Sequence, residues 1–257
     1  MGAGPLIQEA FVPLFDSFAM SEQAGLPHND DCVLAEPGYG VFAVADGMSG
    51  RPGGAQASRI AVRAFMDYLR RVNPAQIASP VALRNAVVMA NKAIRAVVEN
   101  DPKMQGMGTT LTAAVLTEEG GRIVHVGDSR AYLFSRGQLE QLTEDHTLVS
   151  ELIDQKMIEE EEVVNSSSLQ NVLSRAIGTR ASVEPQIVDF HLEMHDWLIL
   201  VTDGFYKAFR PDLMADELVL SAGEDAQGLC RDLVRAALDV GPEDNVSLVV
   251  VRRRGEE

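Results

Sequence analysis

The sequence predicts an α+β fold in which two packed antiparallel β-sheets carry helices on their outer faces. One observation is a run of short apolar segments that follow one another closely, as in RIVHVGDSRAYLFSRGQLEQL, a pattern typical of an antiparallel meander. Another is the placement of three amphipathic segments, two after the first strands and one near the C-terminus. Strands and helices do not alternate along the chain, which argues against a doubly wound parallel sheet.

Seven apolar segments are predicted to be strands. They are rich in Val, Ile, Leu and Thr, and they end in Gly or Asp, residues that commonly interrupt a strand. The predicted strands cover residues 32–35, 40–45, 109–116, 123–126, 131–135, 197–201 and 246–251.

Three segments are predicted to be helices, because apolar residues recur in them at helical spacing. They cover residues 55–72, 81–98 and 226–238, and the second follows Ser79-Pro80, a good signal for a helix start. Each has one apolar face, so each is expected to lie on the outside of a sheet. Segment 145–171 differs, because it contains a run of acidic residues and then a run of serines. It predicts short helices and a mobile excursion with a solvated acidic face.

The composition indicates one globular domain over 1–257. Hydrophobic residues make up 46% of the chain, which is enough for a packed core, and no segment resembles a linker or a repeat. No apolar run reaches the roughly 18 residues that span a bilayer, and the N-terminus lacks a basic segment followed by an apolar one. Cys32 and Cys230 are isolated, which favours reduced thiols without a metal role. We expect a cytoplasmic protein that does not bind membranes, and a monomer.

The chain is strongly acidic. It has 22 Lys and Arg against 38 Asp and Glu, which gives a net charge of −16. Such a surface repels nucleic acid and anionic lipid, so neither is an expected partner. A phosphorylated substrate would have to approach against the same field, and bound divalent cations would remove that obstacle locally.

Six aspartates lie where a predicted strand begins or ends. Because the start of one strand lies beside the end of its antiparallel neighbour, we expect them to meet at one edge of the sandwich. Clustered carboxylates repel one another unless a cation neutralises them, and carboxylate-rich sites suit Mg²⁺ or Mn²⁺. Gly47 and Gly204 each follow one of these aspartates and permit a sharp turn, which brings a backbone carbonyl towards a metal. The six are Asp30, Asp31, Asp46, Asp128, Asp203 and Asp244.

Two divalent ions at such a site can activate a water molecule for attack on a phosphoryl group, without a covalent intermediate. Other chemistries fit less well. Ser49 in GMSGR lacks the final glycine of a nucleophile elbow, and the chain contains neither a G-x-x-x-x-G-K-[ST] loop nor an H-E-x-x-H helix. Asp46 has no second aspartate two residues later, which weighs against an aspartyl-phosphate mechanism. Neither cysteine lies in an anion-binding loop, so a thiol phosphatase is not expected.

The motifs, taken in order, resemble the metal-dependent protein phosphatases of the PPM or type 2C family in their bacterial form. Each motif is weak alone, but together they cover nearly the whole chain and are highly specific. They are NDD at 29–31, VADGMSG at 44–50, GGAQAS at 53–58, MGTTLTAAV at 107–115, VGDSRAYLF at 126–134, QLTEDHTLV at 141–149, SRAIGT at 174–179, VTDGF at 201–205 and EDNVSLVVV at 243–251.

The resemblance implies helix pairs on both sheets, a centre of two Mn²⁺ or Mg²⁺ ions, and hydrolysis of phosphoserine and phosphothreonine in proteins that a Ser/Thr kinase has phosphorylated. By position, Asp46 would bridge both ions and the Gly47 carbonyl would bind one of them. Asp203 and Asp244 would bind the other ion. Together with Asp31, which would act through a metal-bound water, these aspartates are the expected catalytic set.

The resemblance also implies roles around that centre. Asp30 and Asp31 would hold metal-bound waters from a second layer. Asp128 would bind a third, weaker ion together with Asp203. Segment 145–171 matches the family's flap, which borders the active site and influences substrate choice.

The sequence departs from the family pattern at the substrate phosphate. Family members usually carry an arginine three residues before the Asn of the NDD motif, and this chain has Leu26 there. Leucine cannot form the two charge-assisted hydrogen bonds that a guanidinium offers to a phosphate. Arg51, close to Asp46 in sequence, is a candidate replacement, and His28 is a second candidate. Arg51 is equally compatible with a solvent-facing turn residue, and for His28 a surface histidine without such a role is the favoured interpretation.

Two alternatives to a general protein phosphatase stay open, and the missing arginine motivates the first of them. One is a catalytically weakened binding or scaffold protein on a phosphatase fold. Retention of the metal-site aspartates opposes it, since clustered carboxylates are costly without their ions. The other is a regulator that dephosphorylates a single target, such as an anti-sigma antagonist or a secretion component.

Overall fold

The computed structural model of the chain describes residues 14–118, 120–155, 172–221 and 223–254. Within these residues there are ten strands and six α-helices. The strands are β1 (Phe15–Glu22), β2 (Asp31–Glu36), β3 (Val41–Asp46), β4 (Leu111–Leu116), β5 (Gly121–Val126), β6 (Arg130–Ser135), β7 (Gln138–Gln141), β8 (Gln186–Phe190), β9 (Trp197–Val201) and β10 (Val246–Arg253). The helices are α1 (Gly54–Leu69), α2 (Pro80–Asn100), α3 (Leu148–Asp154), α4 (Asp203–Ala208), α5 (Pro211–Leu220) and α6 (Ala226–Asp239).

The strands form two five-stranded sheets. One has the order β1-β10-β9-β6-β7 and the other has the order β2-β3-β4-β5-β8. Every neighbouring pair within both sheets is antiparallel. The predicted α+β fold with two antiparallel sheets is therefore confirmed.

The helices and sheets form four layers, with an apolar core between each neighbouring pair of layers. The first lies between α1, α2 and the second sheet, the next lies between the two sheets, and the last lies between the first sheet and helices α4, α5 and α6. Strand β3 shows how one segment serves two cores. Val41 and Ala43 face the helices, whereas Phe42 and Val44 face the other sheet. Successive side chains of a strand point to opposite faces, so a strand buried on both faces is apolar throughout.

The long helices begin where local signals indicate. The Ser79 side chain accepts a hydrogen bond from the Ala82 N–H and Pro80 occupies the first turn of α2. Asp225 caps α6 in the same way through the Gly228 N–H. Helix α1 has no side-chain cap from its own N-cap residue, Gly53. The carboxylate of Asp30, the residue before β2, supplies that cap instead.

Several elements were not predicted. Strands β1, β7 and β8 lie in segments that mix polar and apolar residues, and β1, β7 and β8 are all edge strands. Helices α4 and α5 follow β9 directly, where only a turn was expected. Strand β4 begins at Leu111 instead of residue 109. Of the predicted flap, residues 145–155 include α3, and residues 156–171 lie outside the described part of the chain.

Among the described residues, no helix has both the length and the apolar character that crossing a membrane requires.

Candidate metal centre

The two sheets bring the predicted aspartates to one edge of the sandwich. Asp31 begins β2 and Asp46 ends β3, and the two residues are directly opposite each other in the antiparallel register. Asp203 follows β9 and Asp244 precedes β10, which are neighbouring strands of the other sheet. The Thr202 hydroxyl donates a hydrogen bond to Asp31 Oδ2 at 2.8 Å and so links the two sheets at this edge.

Asp46 is the centre of the acidic cluster. Burial raises its pKa well above the ordinary value, and the charges of Asp203 and Asp31 raise it further. The nearness of the Asp203 carboxyl group acts in the same direction, because two adjacent carboxyl groups favour a shared proton. These two carboxyl groups, from different sheets, are therefore close enough to compete for one proton or to share one cation.

Three other aspartates belong to the same electrostatic cluster. Burial raises the pKa of Asp31 to about 7, against hydrogen bonds from Ser247 and Thr202, and the charges of Asp203 and Asp244 contribute. Burial and the charge of Asp203 raise the pKa of Asp128 to about 7 as well. The pKa of Asp244 is raised by burial first and also by Asp203. A divalent cation would stabilise the ionised form of every member.

Asp30 has a different set of contacts from the rest. Its Oδ1 accepts a hydrogen bond from the Ala55 N–H at 2.9 Å, in the first turn of α1. It thereby provides the cap that Gly53 does not, and its negative charge lies at the favourable end of the helix dipole. Its own N–H donates to Asn245 Oδ1 at 2.8 Å, which fixes the start of β2 beside the start of β10.

Hydrogen bonds to the backbone of Asp46 and Gly47 fix the end of β3. The Asp46 N–H donates to Thr110 Oγ1 at 2.9 Å, and the Asp46 carbonyl accepts from the Thr109 hydroxyl at 2.7 Å. The Thr110 N–H also donates to the Asp46 carbonyl at 2.8 Å, and Gly47 and Thr109 form an isolated antiparallel bridge, so the two segments remain paired before β4 begins at Leu111. The Gly47 N–H donates to the Asp30 carbonyl at 3.1 Å.

Gly47 and Gly204 are required by close backbone approach. A Cβ on Gly47 would lie 2.1 Å from the Gly54 carbonyl oxygen, and one on Gly204 would lie 2.1 Å from the Asn245 carbonyl oxygen. Neither neighbour is a side chain that can rotate away. Close packing of the segments that carry the aspartates therefore requires glycine at both positions, and Gly204 lies in α4 instead of the predicted sharp turn.

Gly204→Ala is expected to destabilise the protein by about 1–3 kcal/mol, the usual range for overpacking. The added methyl group would push α4, and Asp203 with it, away from the start of β10, so metal-dependent activity is expected to fall as well. Urea unfolding and phosphatase assays measure the two effects. Gly38→Ala is the control, since nothing lies within 4 Å of a Cβ there. Equal stability of the two variants would contradict the packing argument.

Asp203 provides the test of whether these residues fit a metal. Its Oδ1 is buried and has no hydrogen-bond partner among the described residues. Its Oδ2 accepts a hydrogen bond from Lys207 Nζ at 2.6 Å. A buried carboxylate oxygen without a donor is costly, and a cation would satisfy it.

The carboxylates nevertheless do not form a closed cage. In the segments that the structure describes, no group of three or more His, Cys, Asp or Glu side chains is arranged to hold a metal ion as those side chains stand. Mg²⁺ and Mn²⁺ commonly keep several water ligands and need few carboxylates. The residues therefore fit an open centre, in which water and the Gly47 carbonyl would complete the coordination.

The two candidate phosphate ligands lie at the surface. The Arg51 side chain is exposed and passes Gly106, since a Cβ built there would be 3.7 Å from Arg51 Cδ. It makes no ion pair with any residue that the structure describes. The His28 side chain is also exposed. The His28 backbone carbonyl accepts a hydrogen bond from Asn245 Nδ2 at 3.0 Å. Leu26 is half-buried in a turn where Ala24 has a φ of 52°.

The start of the predicted flap is anchored beside α4. Asp145 forms a two-pronged ion pair with Arg130, with N–O distances of 2.7 and 3.0 Å. The Arg130 guanidinium lies 3.7 Å from the centre of the Tyr206 ring, in the helix that Asp203 begins. The described part of the flap thus begins next to the acidic cluster.

Several residues at this edge that bond the predicted aspartates were missed as site residues. Among them are Thr109, Thr110, Thr202, Lys207 and Asn245. All of these except Lys207 lie inside motifs that the sequence already singled out. Lys207 follows Asp203 by four residues, a spacing that becomes informative only when the segment is known to be helical.

Comparisons with known proteins identify the family of the chain. The family model for protein phosphatase 2C matches residues 19–234. The serine/threonine phosphatase stp of Listeria welshimeri is 34% identical over 215 residues, which are 83% of this chain and 84% of that protein. The serine/threonine protein phosphatase PstP of Mycobacterium tuberculosis is 36% identical over 247 residues, which are 94% of this chain and 46% of that protein.

A solved structure provides the same result for the fold. The catalytic domain of a PstP in complex with two manganese ions has a TM-score of 0.80 and 30% identity, and the match covers 93% of this chain and 97% of that chain. The family resemblance and the predicted enzyme class, a serine/threonine protein phosphatase, are confirmed. The chain belongs to the protein phosphatase 2C family.

Proposed function

We propose that the chain hydrolyses phosphoserine and phosphothreonine in proteins at a centre of two Mn²⁺ or Mg²⁺ ions. The observation that carries the proposal is the meeting of Asp46 and Asp203, from different sheets, with a buried Asp203 oxygen that has no donor within the described part of the chain. The two manganese ions in the PstP complex support the same number of ions. We further propose that residues 1–257 act as one phosphatase domain, with the flap at 145–171.

Each residue of the centre would have a defined role. Asp46 and the Gly47 carbonyl would hold one ion, and Asp46, Asp203 and Asp244 would hold the other. Asp30 and Asp31 would accept hydrogen bonds from waters around the ions. When bound, a pair of divalent ions neutralises the phosphoryl oxygens and lowers the pKa of a water molecule between them. The chain itself supplies position, because Thr202 and Asn245 hold Asp31 and Asp30 in place.

The substrates are proposed to be proteins phosphorylated by a Ser/Thr kinase. A cytoplasmic location and a monomeric state remain predictions. The family resemblance also implies a third ion at Asp128, and such an ion would compete with Lys207 for Asp203 Oδ2.

Asp203→Ala tests the proposed function. We expect the wild type to hydrolyse p-nitrophenyl phosphate and a phosphothreonine peptide only when Mn²⁺ or Mg²⁺ is added, and the variant to lose this activity. Asp212→Ala is the matched control. Asp212 lies on α5, pairs with the preceding Arg210 and takes no part in the cluster. Activity in the presence of a chelator, or activity retained by Asp203→Ala, would contradict the proposal.

The same assay separates the enzyme from a weakened scaffold protein. The presence of Leu26 at the expected arginine position favours that alternative. A scaffold would bind phosphopeptide without metal-dependent turnover under any condition tested.

Arg51→Ala is expected to raise KM for a phosphopeptide about 5- to 20-fold and to leave kcat for p-nitrophenyl phosphate nearly unchanged. Hydrogen bonds to charged groups contribute about 1.5–3 kcal/mol, and solvent screening at an exposed side chain lowers this contribution. Steady-state kinetics with both substrates measures the effect. Arg63→Ala is the control, because the Arg63 side chain is 85% exposed on the face of α1. If Arg51→Ala matches this control with the phosphopeptide, Arg51 does not bind the substrate phosphate.

A further inference from the structure

Lys207 lies beside the carboxylate cluster and is held there by the helix that Asp203 begins. The two residues are four apart on α4, so their side chains share one side of the helix. Lys207 Nζ donates a hydrogen bond to Asp203 Oδ2 at 2.6 Å. The Asp203 side chain is 14% exposed and that of Lys207 is 43% exposed, so the ammonium group reaches the carboxylate from the solvent side.

The charge of this ammonium acts on other carboxylates of the cluster besides Asp203, its direct partner. Burial raises the pKa of Asp128 to about 7 and the charge of Asp203 adds to this, whereas Lys207 opposes the rise. Lys207 also opposes the rise that burial causes in the pKa of Asp244. Burial alone would lower the pKa of Lys207, but the charges around it, led by that of Asp203, raise it overall. A lysine that donates to a carboxylate at this distance is an ammonium group, so the side chain brings a positive charge to the cluster.

Asp128 and Asp203 are the pair for which the family resemblance predicts a third, weaker ion. Such an ion would need an oxygen of Asp203, and Oδ2 is already bonded to the ammonium. A divalent ion beside that ammonium would also be repelled by it, since like charges at such distances interact strongly near a protein surface. The ammonium is a compact charge with three donors, which suits several carboxylate oxygens at once. These residues fit a third metal ion poorly, because the position already has a cation.

We propose that Lys207 supplies the positive charge at the Asp128–Asp203 position, so that the chain carries two divalent ions and no third. This inference rests on the proposed function, because it presupposes the two-ion centre. Lys207 is then a positioning residue. By holding Oδ2 of Asp203, it leaves the buried Oδ1 for the two-ion centre.

The number of manganese ions bound per chain tests the inference directly. Equilibrium dialysis against increasing free Mn²⁺, followed by elemental analysis, is expected to give saturation at two ions for the wild type. Lys207→Asp replaces the ammonium with a third carboxylate at the same position, and it is expected to bind a third ion with weaker affinity. Lys207→Arg keeps the charge and is expected to remain at two ions. Lys92→Asp, an exposed change on α2, is the charge-matched control and is expected to remain at two.

A second readout keeps the test independent of how well Lys207→Asp folds. Lys207→Met removes the charge without adding a ligand, so in a chelator the variant is expected to unfold at a lower temperature than the wild type. Three results would overturn this inference and leave the proposed function standing. They are three ions bound by the wild type, two ions bound by a folded Lys207→Asp, and unchanged stability of Lys207→Met in chelator. A wild type that binds no manganese would overturn the proposed function and this inference together.

Discussion

Asp46→Asn is expected to lower kcat/KM for manganese-dependent hydrolysis of p-nitrophenyl phosphate by a factor on the order of 10²–10³. Metal ions contribute several kcal/mol of charge stabilisation in the transition state, and each 1.36 kcal/mol corresponds to a tenfold change in rate. An amide at position 46 keeps the shape of the side chain but removes the charge that would bridge two ions. Steady-state kinetics over a range of Mn²⁺ concentrations measures the loss.

The same variant is expected to be more stable than the wild type when metal is removed. Burial and the charges of Asp203 and Asp31 hold the pKa of Asp46 well above its usual value, so an ionised Asp46 carries an energetic cost in the metal-free protein that an asparagine does not. The asparagine amide can also donate to Asp203 Oδ1, which has no donor among the described residues. We therefore expect Asp46→Asn to have a higher Tm than the wild type in the presence of a chelator, as measured by differential scanning fluorimetry.

The opposite directions of the two effects make this prediction specific. A residue whose role is only structural would lose stability and activity together. Asp67→Asn, an exposed change on α1, should alter neither quantity appreciably. If Asp46→Asn is active with Mn²⁺, or less stable than the wild type in chelator, the assignment of Asp46 to the metal centre is wrong.

Manganese is expected to raise Tm, and the rise should be larger at about pH 8 than at about pH 6. The pKa values of Asp31 and Asp128 are about 7, so at the lower pH protons compete with the metal for the cluster. Protonation of one such group weakens apparent metal affinity about tenfold per pH unit below its pKa, which corresponds to about 1.4 kcal/mol. The difference between the two rises is therefore expected to be about 3–6 °C. Differential scanning fluorimetry with and without Mn²⁺ measures it.

The sign follows from proton binding in the two states. A carboxyl group whose folded pKa is raised binds more protons in the folded than in the unfolded state between about pH 4 and 7. Without metal, these groups therefore make stability fall as pH rises through that window. His125 and His146 act in the opposite direction, because burial lowers their pKa values to about 4 and about 3. Their contribution is the same with and without metal, so it cancels in the difference.

Asp203→Ala is the control for this experiment and is expected to show little manganese-dependent rise in Tm at either pH. An equal rise at both pH values in the wild type, or a larger rise at the lower pH, would show that the ions do not compete with protons for these carboxylates.

Local sequence was sufficient to place most of the aspartates. Asp31 and Asp46 adjoin strands whose apolar pattern is clear, and Asp244 precedes the apolar run that becomes β10. An antiparallel arrangement then brings strand starts and strand ends to one edge, and the structure shows this for β2 and β3. The edge strands β1 and β8 were not predicted because their side chains are only partly buried, so hydrophobic periodicity is weak.

Asp203 shows where sequence reasoning stopped. It was expected at a strand end followed by a turn, and it instead begins the six-residue helix α4. A helix of this length is too short for a periodic signal, which needs a window of about 11 residues or more. The helical phase of α4 is what turns Lys207 towards Asp203, so this contact had no signal in the sequence taken alone.

The sequence by itself determined the family, the antiparallel architecture and the set of acidic residues, because these depend on local patterns and on motifs in a fixed order. Only the tertiary structure decided which carboxylates meet, which of them is paired with Lys207, and which oxygen is left without a donor. The physical reason is that pKa values and hydrogen bonds depend on distances of a few ångströms between residues far apart in the chain, such as Asp31 and Thr202. Those distances are set by the packing of two sheets against each other, and no short segment contains that information.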